Sequence, residues 1–125
     1  MFNNQNQEKG FKDIETIIGP SVKVKGDFHG TGNIIIEGIV EGNLKTNGNL
    51  QVGNKAKITA NIEAKEAKIS GEIRGNIKIN GYLEITTAAK FFGDIETSSL
   101  SIEQGAIING KITMPIEKEG LKKIV

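Results

Sequence analysis

Residues 50–64, LQVGNKAKITANIEA, alternate between small or apolar and polar side chains over most of their length. The apolar set is Leu50, Val52, Ala56, Ile58, Ala60, Ile62 and Ala64. A period of two is the period of a β-strand, in which successive side chains point to opposite faces. The stretch therefore predicts strands that bury one face.

The same pattern occurs six times along the chain. The copies begin at Thr16, Ile34, Leu50, Ala67, Leu83 and Leu100, at spacings of 18, 16, 17, 16 and 17 residues. Helical repeats and propeller blades need about 20–50 residues per unit, whereas a coil of three short strands needs about 16–18. The spacing predicts an all-β solenoid of six three-stranded rungs between residues 16 and 114. Rungs about 4.8 Å apart would form a rod about 29 Å long.

A glycine or alanine recurs between two strands of every copy. The residues are Gly26, Gly42, Ala60, Gly75, Gly93 and Gly110. We expect them to face inward at a bend of the coil, where only a minimal side chain leaves room. The next residue forms what we call the corner column: Asp27, Asn43, Asn61, Asn76, Asp94 and Lys111. We interpret its Asn residues as suited to a turn beside glycine, with a side-chain amide ladder as the alternative.

The copies differ in length at one place only. From the first residue to the glycine or alanine, residues 34–42 and 67–75 are two residues shorter than the other four copies. An insertion confined to a corner leaves a stacked core intact. We therefore expect two types of corner on one common rod.

The composition limits the classes of protein that fit this chain. Its 125 residues are 37% hydrophobic, with five Phe, one Tyr and no Trp, which suits a single domain with one thin aliphatic core. The net charge of +1 and the short aliphatic runs predict neither a nucleic-acid surface nor a transmembrane helix. The absence of Cys and of a hydrophobic leader favours a cytoplasmic location.

The two ends of the chain differ from the repeats. Residues 1–15 are polar and rich in Asn and Gln, and residues 116–125 carry mixed charges, so both predict flexible tails around a domain at 16–115. Met1 and Phe2 are candidates for peripheral contact with the inner face of the cytoplasmic membrane. An inert tail is the alternative that the composition favours.

The alignment also places charged residues in what we call the exterior charge column. It contains Lys45, Glu63, Lys78 and Glu96, whose signs alternate along consecutive copies. Stacked opposite charges would each contribute about 0.2–1 kcal/mol, so this column would act on strand register more than on overall stability.

Catalytic and cofactor motifs are missing from the sequence. The chain has one His, His29, one Arg, Arg74, and no Cys, so it cannot assemble a His cluster for a metal or a Cys nucleophile. The glycines follow neither GxGxxG nor the Walker pattern. We therefore expect no enzyme activity, no cofactor and no nucleotide.

Three stretches carry a resemblance to a known family. Residues 15–30, ETIIGPSVKVKGDFHG, and 36–44, IEGIVEGNL, closely resemble the opening of bactofilins, and residues 105–114, GAIINGKITM, resemble their close. Bactofilins are bacterial polymer-forming cytoskeletal proteins. The resemblance implies a right-handed parallel β-helix that forms non-polar filaments without nucleotide. Ile108 departs from the pattern, since relatives often carry Phe in the last rung.

The ends of a solenoid provide an independent argument for assembly. Terminal rungs have unpaired backbone groups that favour further strand pairing. We predict polymerisation through Ile18, Val22, Val24 and Phe28 at one end and Leu100, Ile102, Ile108 and Ile112 at the other. The sequence alone permits a head-to-tail polar filament as well, and client proteins are not encoded in it.

Two enzyme classes are the alternatives to a filament protein. Residues 18–22, IGPSV, look like one hexapeptide unit of a left-handed β-helix acyltransferase. That class needs a nearly strict 18-residue coil and usually a catalytic His, whereas this chain varies its spacing and offers only His29. A carbohydrate-acting β-helix would need many more rungs.

Overall fold

The computed structural model describes residues 14–115, which form parallel β-structure with no helix in that range. The strands are β1 (Ile14–Ile18), β2 (Lys23–Gly30), β3 (Asn33–Ile36), β4 (Ile39–Thr46), β5 (Asn49–Val52), β6 (Lys57–Ala64), β7 (Glu66–Ile69), β8 (Glu72–Arg74), β9 (Ile77–Ile85), β10 (Lys90–Phe92), β11 (Ile95–Ile102), β12 (Ile107–Asn109) and β13 (Ile112–Thr113). The first strand begins two residues before the predicted start at Thr16. The predicted tails lie almost entirely outside the described residues.

The described strands wind into six turns, and each turn contributes one segment to each of three parallel faces. The first face consists of β1, β3, β5, β7 and residues 82–85 and 99–102. The second face consists of residues 23–25, 39–41 and 57–59 with β8, β10 and β12. The third face consists of residues 28–30, 44–46, 62–64, 77–79 and 95–97 with β13.

The pairing register confirms the alignment of the six copies. On the first face, Thr16 pairs with Ile34, and the column continues through Leu50, Ala67, Leu83 and Leu100. The second face carries the column Val24, Val40, Ile58, Ile73, Phe91 and Ile108. The predicted β-solenoid of six three-stranded rungs is therefore confirmed.

The core is a narrow column of aliphatic side chains that point inward from the three faces. Its largest member is Phe91, and almost all the rest are Ile, Leu, Val and Ala. Thr46 and Thr97 are also buried, and their hydroxyls donate hydrogen bonds to the carbonyl oxygens of Gly32 and Gly81. Each turn directs a similar set of apolar side chains inward, and a shift in register would expose some of them.

The two predicted corner types join the first face to the second. Long corners contain a turn in which the fourth residue donates its N–H to the first carbonyl, as in Val22 to Gly19 and Ala56 to Gly53. Short corners have only two residues between strands, and their Gly38 and Gly71 lie against the carbonyl groups of the turn before. Length differences are thus absorbed without disturbing the faces.

Glycine is required at most positions of the second bend. Gly42 and Gly75 have φ of +124° and +138°, a region that L side chains rarely adopt. A Cβ on Gly75 would collide with the carbonyl oxygen of Ala60 in the preceding turn. Ala60, at the equivalent position, is 6% exposed and belongs to the core, which fits the expected inward direction. Backbone conformation and the neighbouring turn exclude residues larger than glycine at Gly42 and Gly75.

Candidate assembly surfaces

The C-terminal end of the rod exposes apolar residues that are buried one turn earlier. Ile102 is 44% exposed, whereas Ile85 below it is fully buried. Ile112 is 38% exposed, whereas Ile95 below it is 1% exposed. Leu100 and Ile108 are partly buried and pack against the core. Among residues 14–115 no further turn covers these side chains, so the last turn presents an apolar edge.

The N-terminal end has the same character with one exception. Val24 and Phe28 are only partly buried, although Val40 and Leu44 in the next turn are fully or almost fully covered. Val22 is 44% exposed at the first corner. These three positions leave the first turn with an apolar edge of its own.

Ile18 does not belong to that exposed edge. It is 3% exposed, because strand alternation turns it inward beside Ile36, while its neighbour Ile17 points outward and is 65% exposed. The prediction that Ile18 is an exposed end residue was wrong. Ile17 was missed, because two adjacent isoleucines hide the alternation that would have identified the outward one.

The backbone is also open at both ends within the described part of the chain. In the first turn, β1 pairs only with β3, and β2 pairs only with β4. In the last turn, β12 pairs only with β10, and β13 only with β11. A strand with one partner leaves half of its N–H and C=O groups available to another strand. Each end therefore combines apolar side chains with free strand edges.

Two further apolar residues in the last turn were missed by the sequence reasoning. Ile107 and Met114 are both about half exposed. Ile107 stands at an outward position of the second face, where the other turns mostly carry Lys or Glu. An apolar residue in a column that carries charged residues everywhere else except at Ile39 was the available indication.

The corner column forms a continuous hydrogen-bonded ladder. Asn43 donates its Nδ2 proton to Asp27 Oδ1 at 2.8 Å, and Asn61 donates to Asn43 Oδ1 at 3.4 Å. From Asn61 onward, each Oδ1 accepts the backbone N–H of the next member, ending at Lys111. The alternative of a side-chain amide ladder is observed between Asn43 and Asn61, whereas Asn76 joins the column through backbone N–H groups. The preference of Asn for a turn beside glycine stays a prediction.

The exterior charge column lies on the third face in the expected order. Strand pairing places Lys45 beside Glu63, Glu63 beside Lys78, and Lys78 beside Glu96. The ion pairs found within residues 14–115 lie elsewhere, between Lys23 and Glu41 at 3.9 Å and between Arg74 and Glu72 at 3.1 Å. The proximity along the column follows from the register, and a stabilising effect stays a prediction.

The described residues contain no group of three or more His, Cys, Asp and Glu arranged to hold a metal ion. None of them forms a helix with the length and apolar character needed to cross a membrane. The candidate membrane residues Met1 and Phe2 lie outside the described residues. The features that stand out in the described coil are thus its two ends and its outer columns.

Comparison with known proteins identifies the family. A family model described as bactofilin, polymer-forming cytoskeletal, matches residues 16–113. The chain belongs to the bactofilin family. It is 54% identical to bactofilin BacN of Myxococcus xanthus over 100 residues, which cover 80% of this chain and 88% of the relative.

A solved bactofilin structure agrees with the fold. The cryo-EM structure of the Thermus thermophilus bactofilin in double helical filaments matches this bactofilin with a TM-score of 0.77 and 27% identity. The match covers 81% of this chain and the whole of the other chain. As a bactofilin, the protein is a polymer-forming cytoskeletal protein. The family match favours this function over that of an acyltransferase.

Proposed function

We propose that this bactofilin assembles end to end, without nucleotide, into non-polar filaments that serve as a structural scaffold rather than as an enzyme. The observation that carries the proposal is the change in burial between the last two turns, from fully covered Ile85 to 44% exposed Ile102 in one column. A neighbouring subunit that continued the stack would bury the exposed side chains and pair the free strand edges.

The energetics favour an end contact over an exposed end. Full burial of an Ile side chain contributes about 1.5–3 kcal/mol. Each end offers several apolar residues that are partly exposed and would gain a fraction of that value, together with unpaired backbone groups. Association costs on the order of 4–15 kcal/mol in lost freedom and ordering. A single exposed side chain would not suffice, so the proposal requires the whole apolar turn and its strand edge to contribute.

The non-polar arrangement is the finer part of the proposal. It requires that first turns meet first turns and last turns meet last turns, through contacts with two-fold symmetry. The family resemblance supports this arrangement. We also propose that two filaments pair side by side, by analogy with the double helical filaments of the Thermus thermophilus relative.

Membrane contact is a separate part of the proposal. Met1 and Phe2 would place an apolar terminus on the inner membrane surface, with a peripheral rather than spanning attachment. Removing residues 1–13 should abolish co-sedimentation with vesicles of anionic phospholipid and leave filaments intact, because the described coil begins at Ile14. Equal vesicle binding with and without these residues would reject Met1 and Phe2 as the contact.

Assembly itself is tested with purified protein in buffer free of ATP and GTP. We expect negative-stain electron microscopy to show long filaments, and light scattering to be unchanged when either nucleotide is added. Particles of subunit size at high protein concentration, with or without nucleotide, would contradict end-to-end assembly.

A further inference from the structure

The third face carries charges that alternate in sign along the rod. When one copy is rotated end over end, each position that held a positive charge holds a negative charge, and the reverse. The exterior charge column runs positive, negative, positive, negative from the second turn to the fifth, through Lys45, Glu63, Lys78 and Glu96. Reversal of the column therefore sets a negative charge opposite every positive charge. His29 and Thr113 occupy the ends of the column.

We propose that the third face is the lateral contact between two copies of this chain that lie side by side in opposite directions. The proposal rests on the proposed filament and names the face and direction by which filaments pair. A two-fold axis across the rod, between the third and fourth turns, would place Lys45 against Glu96 of the second copy. The same axis would place Glu63 against Lys78 of the second copy, and each pair would occur twice.

The corner column beside it supports the same arrangement. It has a negative residue, Asp27, in the first turn and a positive residue, Lys111, in the last. The same axis would bring these two together across the contact, and the central amides Asn61 and Asn76 would face each other. Six turns have their centre between turns three and four, so both columns share one axis.

The two other faces lack this self-complementarity. The outward positions of the second face hold five cations, Lys23, Lys25, Lys57, Arg74 and Lys90, against the anions Glu41 and Glu72. Reversal would set Lys57 against Glu72, but Lys23 and Lys90 would face Ile107 and Ile39, so the excess positive charge of this face would have no partner. On the first face, reversal would set Ile35 against Glu84 and Ile17 against Ser101, which are not complementary.

A side-by-side contact in the same direction is disfavoured by the same charges. With both copies parallel and level, Lys45 would face Lys45 and Glu63 would face Glu63. Like charges across an interface cost free energy and suppress that orientation. The alternating order therefore selects the antiparallel orientation as well as the face.

The size of the face predicts a weak contact for a single subunit. A groove of about 510 Å³ runs along it, lined by both columns, and offers room for long Lys and Glu side chains of two copies. Exposed ion pairs are individually weak, so isolated subunits should not pair stably. In a filament whose successive subunits turn this face to the neighbouring filament, the contact is repeated, and many weak contacts add up to stable pairing.

The test compares charge reversals by electron microscopy of filaments at about 0.1 M and 1 M salt, where the Debye length falls from about 10 to 3 Å. Wild-type filaments should be paired at low salt and largely single at high salt. Lys45→Glu or Glu96→Lys alone should lower the paired fraction about tenfold at low salt. The double variant, with both reversals, restores opposite charges across the contact and should recover wild-type pairing.

The double variant separates this contact from an effect within one chain. Within one chain it sets a carboxylate at position 45 beside Glu63 and an ammonium group at position 96 beside Lys78. A purely internal role of the column therefore predicts a greater defect than in either single variant, and that result would overturn the proposal. The control Lys90→Glu makes an equal charge change on the second face and should leave pairing unchanged.

Two further outcomes distinguish this proposal from the proposed function. Wild-type filaments that stay single at both salt concentrations would overturn the lateral contact and leave end-to-end assembly standing. Absence of wild-type filaments would overturn both. Loss of pairing in Lys90→Glu equal to that in Lys45→Glu would also overturn the choice of the third face.

Discussion

Gly75 illustrates how one residue fixes the shape of a turn. Its φ of +138° redirects the chain from the second face to the third, and the carbonyl of Ala60 lies where a Cβ would be. Ala60 occupies the equivalent place one turn earlier without a positive φ, since no residue except glycine has one in residues 14–115. The bend can therefore be made in two ways, and glycine is required only in one of them.

We expect Gly75→Ala to lower the free energy of unfolding by about 3 kcal/mol or more, because strained backbone and a collision with the neighbouring turn act together. Urea denaturation followed by circular dichroism measures the loss. Gly19→Ala is the matched control, because its φ is not positive and the added methyl would meet Val22 at an ordinary 3.9 Å. Equal, small losses in both variants would contradict the role given to Gly75.

The Asn ladder leads to a second prediction at this scale. Asn61→Ala removes the bond to Asn43 and the acceptor for the N–H of Asn76, and should cost about 1 kcal/mol because the column is exposed. Asn80→Ala, on the outside of β9 and away from the column, is the control. Identical thermal midpoints for the two variants would show that the ladder adds nothing to stability.

Some properties of these residues could not be predicted from the sequence. A small residue at each bend was visible from the alignment, but the sign of φ belongs to the backbone and was not. Asn beside Gly suits both a turn and a ladder, and only the side-chain positions distinguish the two. Ile18 was misplaced because Ile17 stands directly before it, and two adjacent apolar residues conceal which one faces inward.

At the scale of strands, the repeat spacing determined the register. Every turn carries an apolar residue in the columns that begin at Val24 and Phe28, so a slip by one residue would turn the buried face outward. That constraint is why the pairing of all six copies could be predicted. Corner lengths followed as well, because extra residues can be accommodated only outside the stacked faces.

The exterior charge column gives a prediction at the scale of strands. Glu63→Lys places three positive charges in consecutive turns, from Lys45 to Lys78, and should lower the free energy of unfolding by about 1 kcal/mol. The loss should be greater at low salt than at high salt, since exposed charges are screened. Glu63→Gln, which removes the attraction without adding repulsion, should lie between wild type and Glu63→Lys. A salt-independent loss would show that the column does not act through charge.

At the scale of the whole molecule, the rod has a complete core in its middle and incomplete turns at both ends. Ile102 and Ile112 were correctly predicted to be exposed at the C-terminal end. The direction in which subunits meet could not be predicted, because head-to-tail and like-end contacts would bury the same side chains. The candidate membrane residues Met1 and Phe2 also stay predictions.

Blocking one end distinguishes those two arrangements. Ile108→Arg places a charge on the last turn, where a subunit contact would have to desolvate it. Ile112→Arg does the same at a position already 38% exposed, so the fold tolerates it more readily. Both variants should keep the circular dichroism spectrum of the wild type and fail to form filaments.

The mass of the Ile108→Arg and Ile112→Arg proteins, measured by light scattering after size-exclusion chromatography, is the most direct test of assembly through the two ends. We expect a dimer with twice the subunit mass of 13.5 kDa, held by the unchanged first turns. Monomers would show that first and last turns meet head to tail. Filaments of wild-type length from both variants would contradict assembly through the ends of the rod.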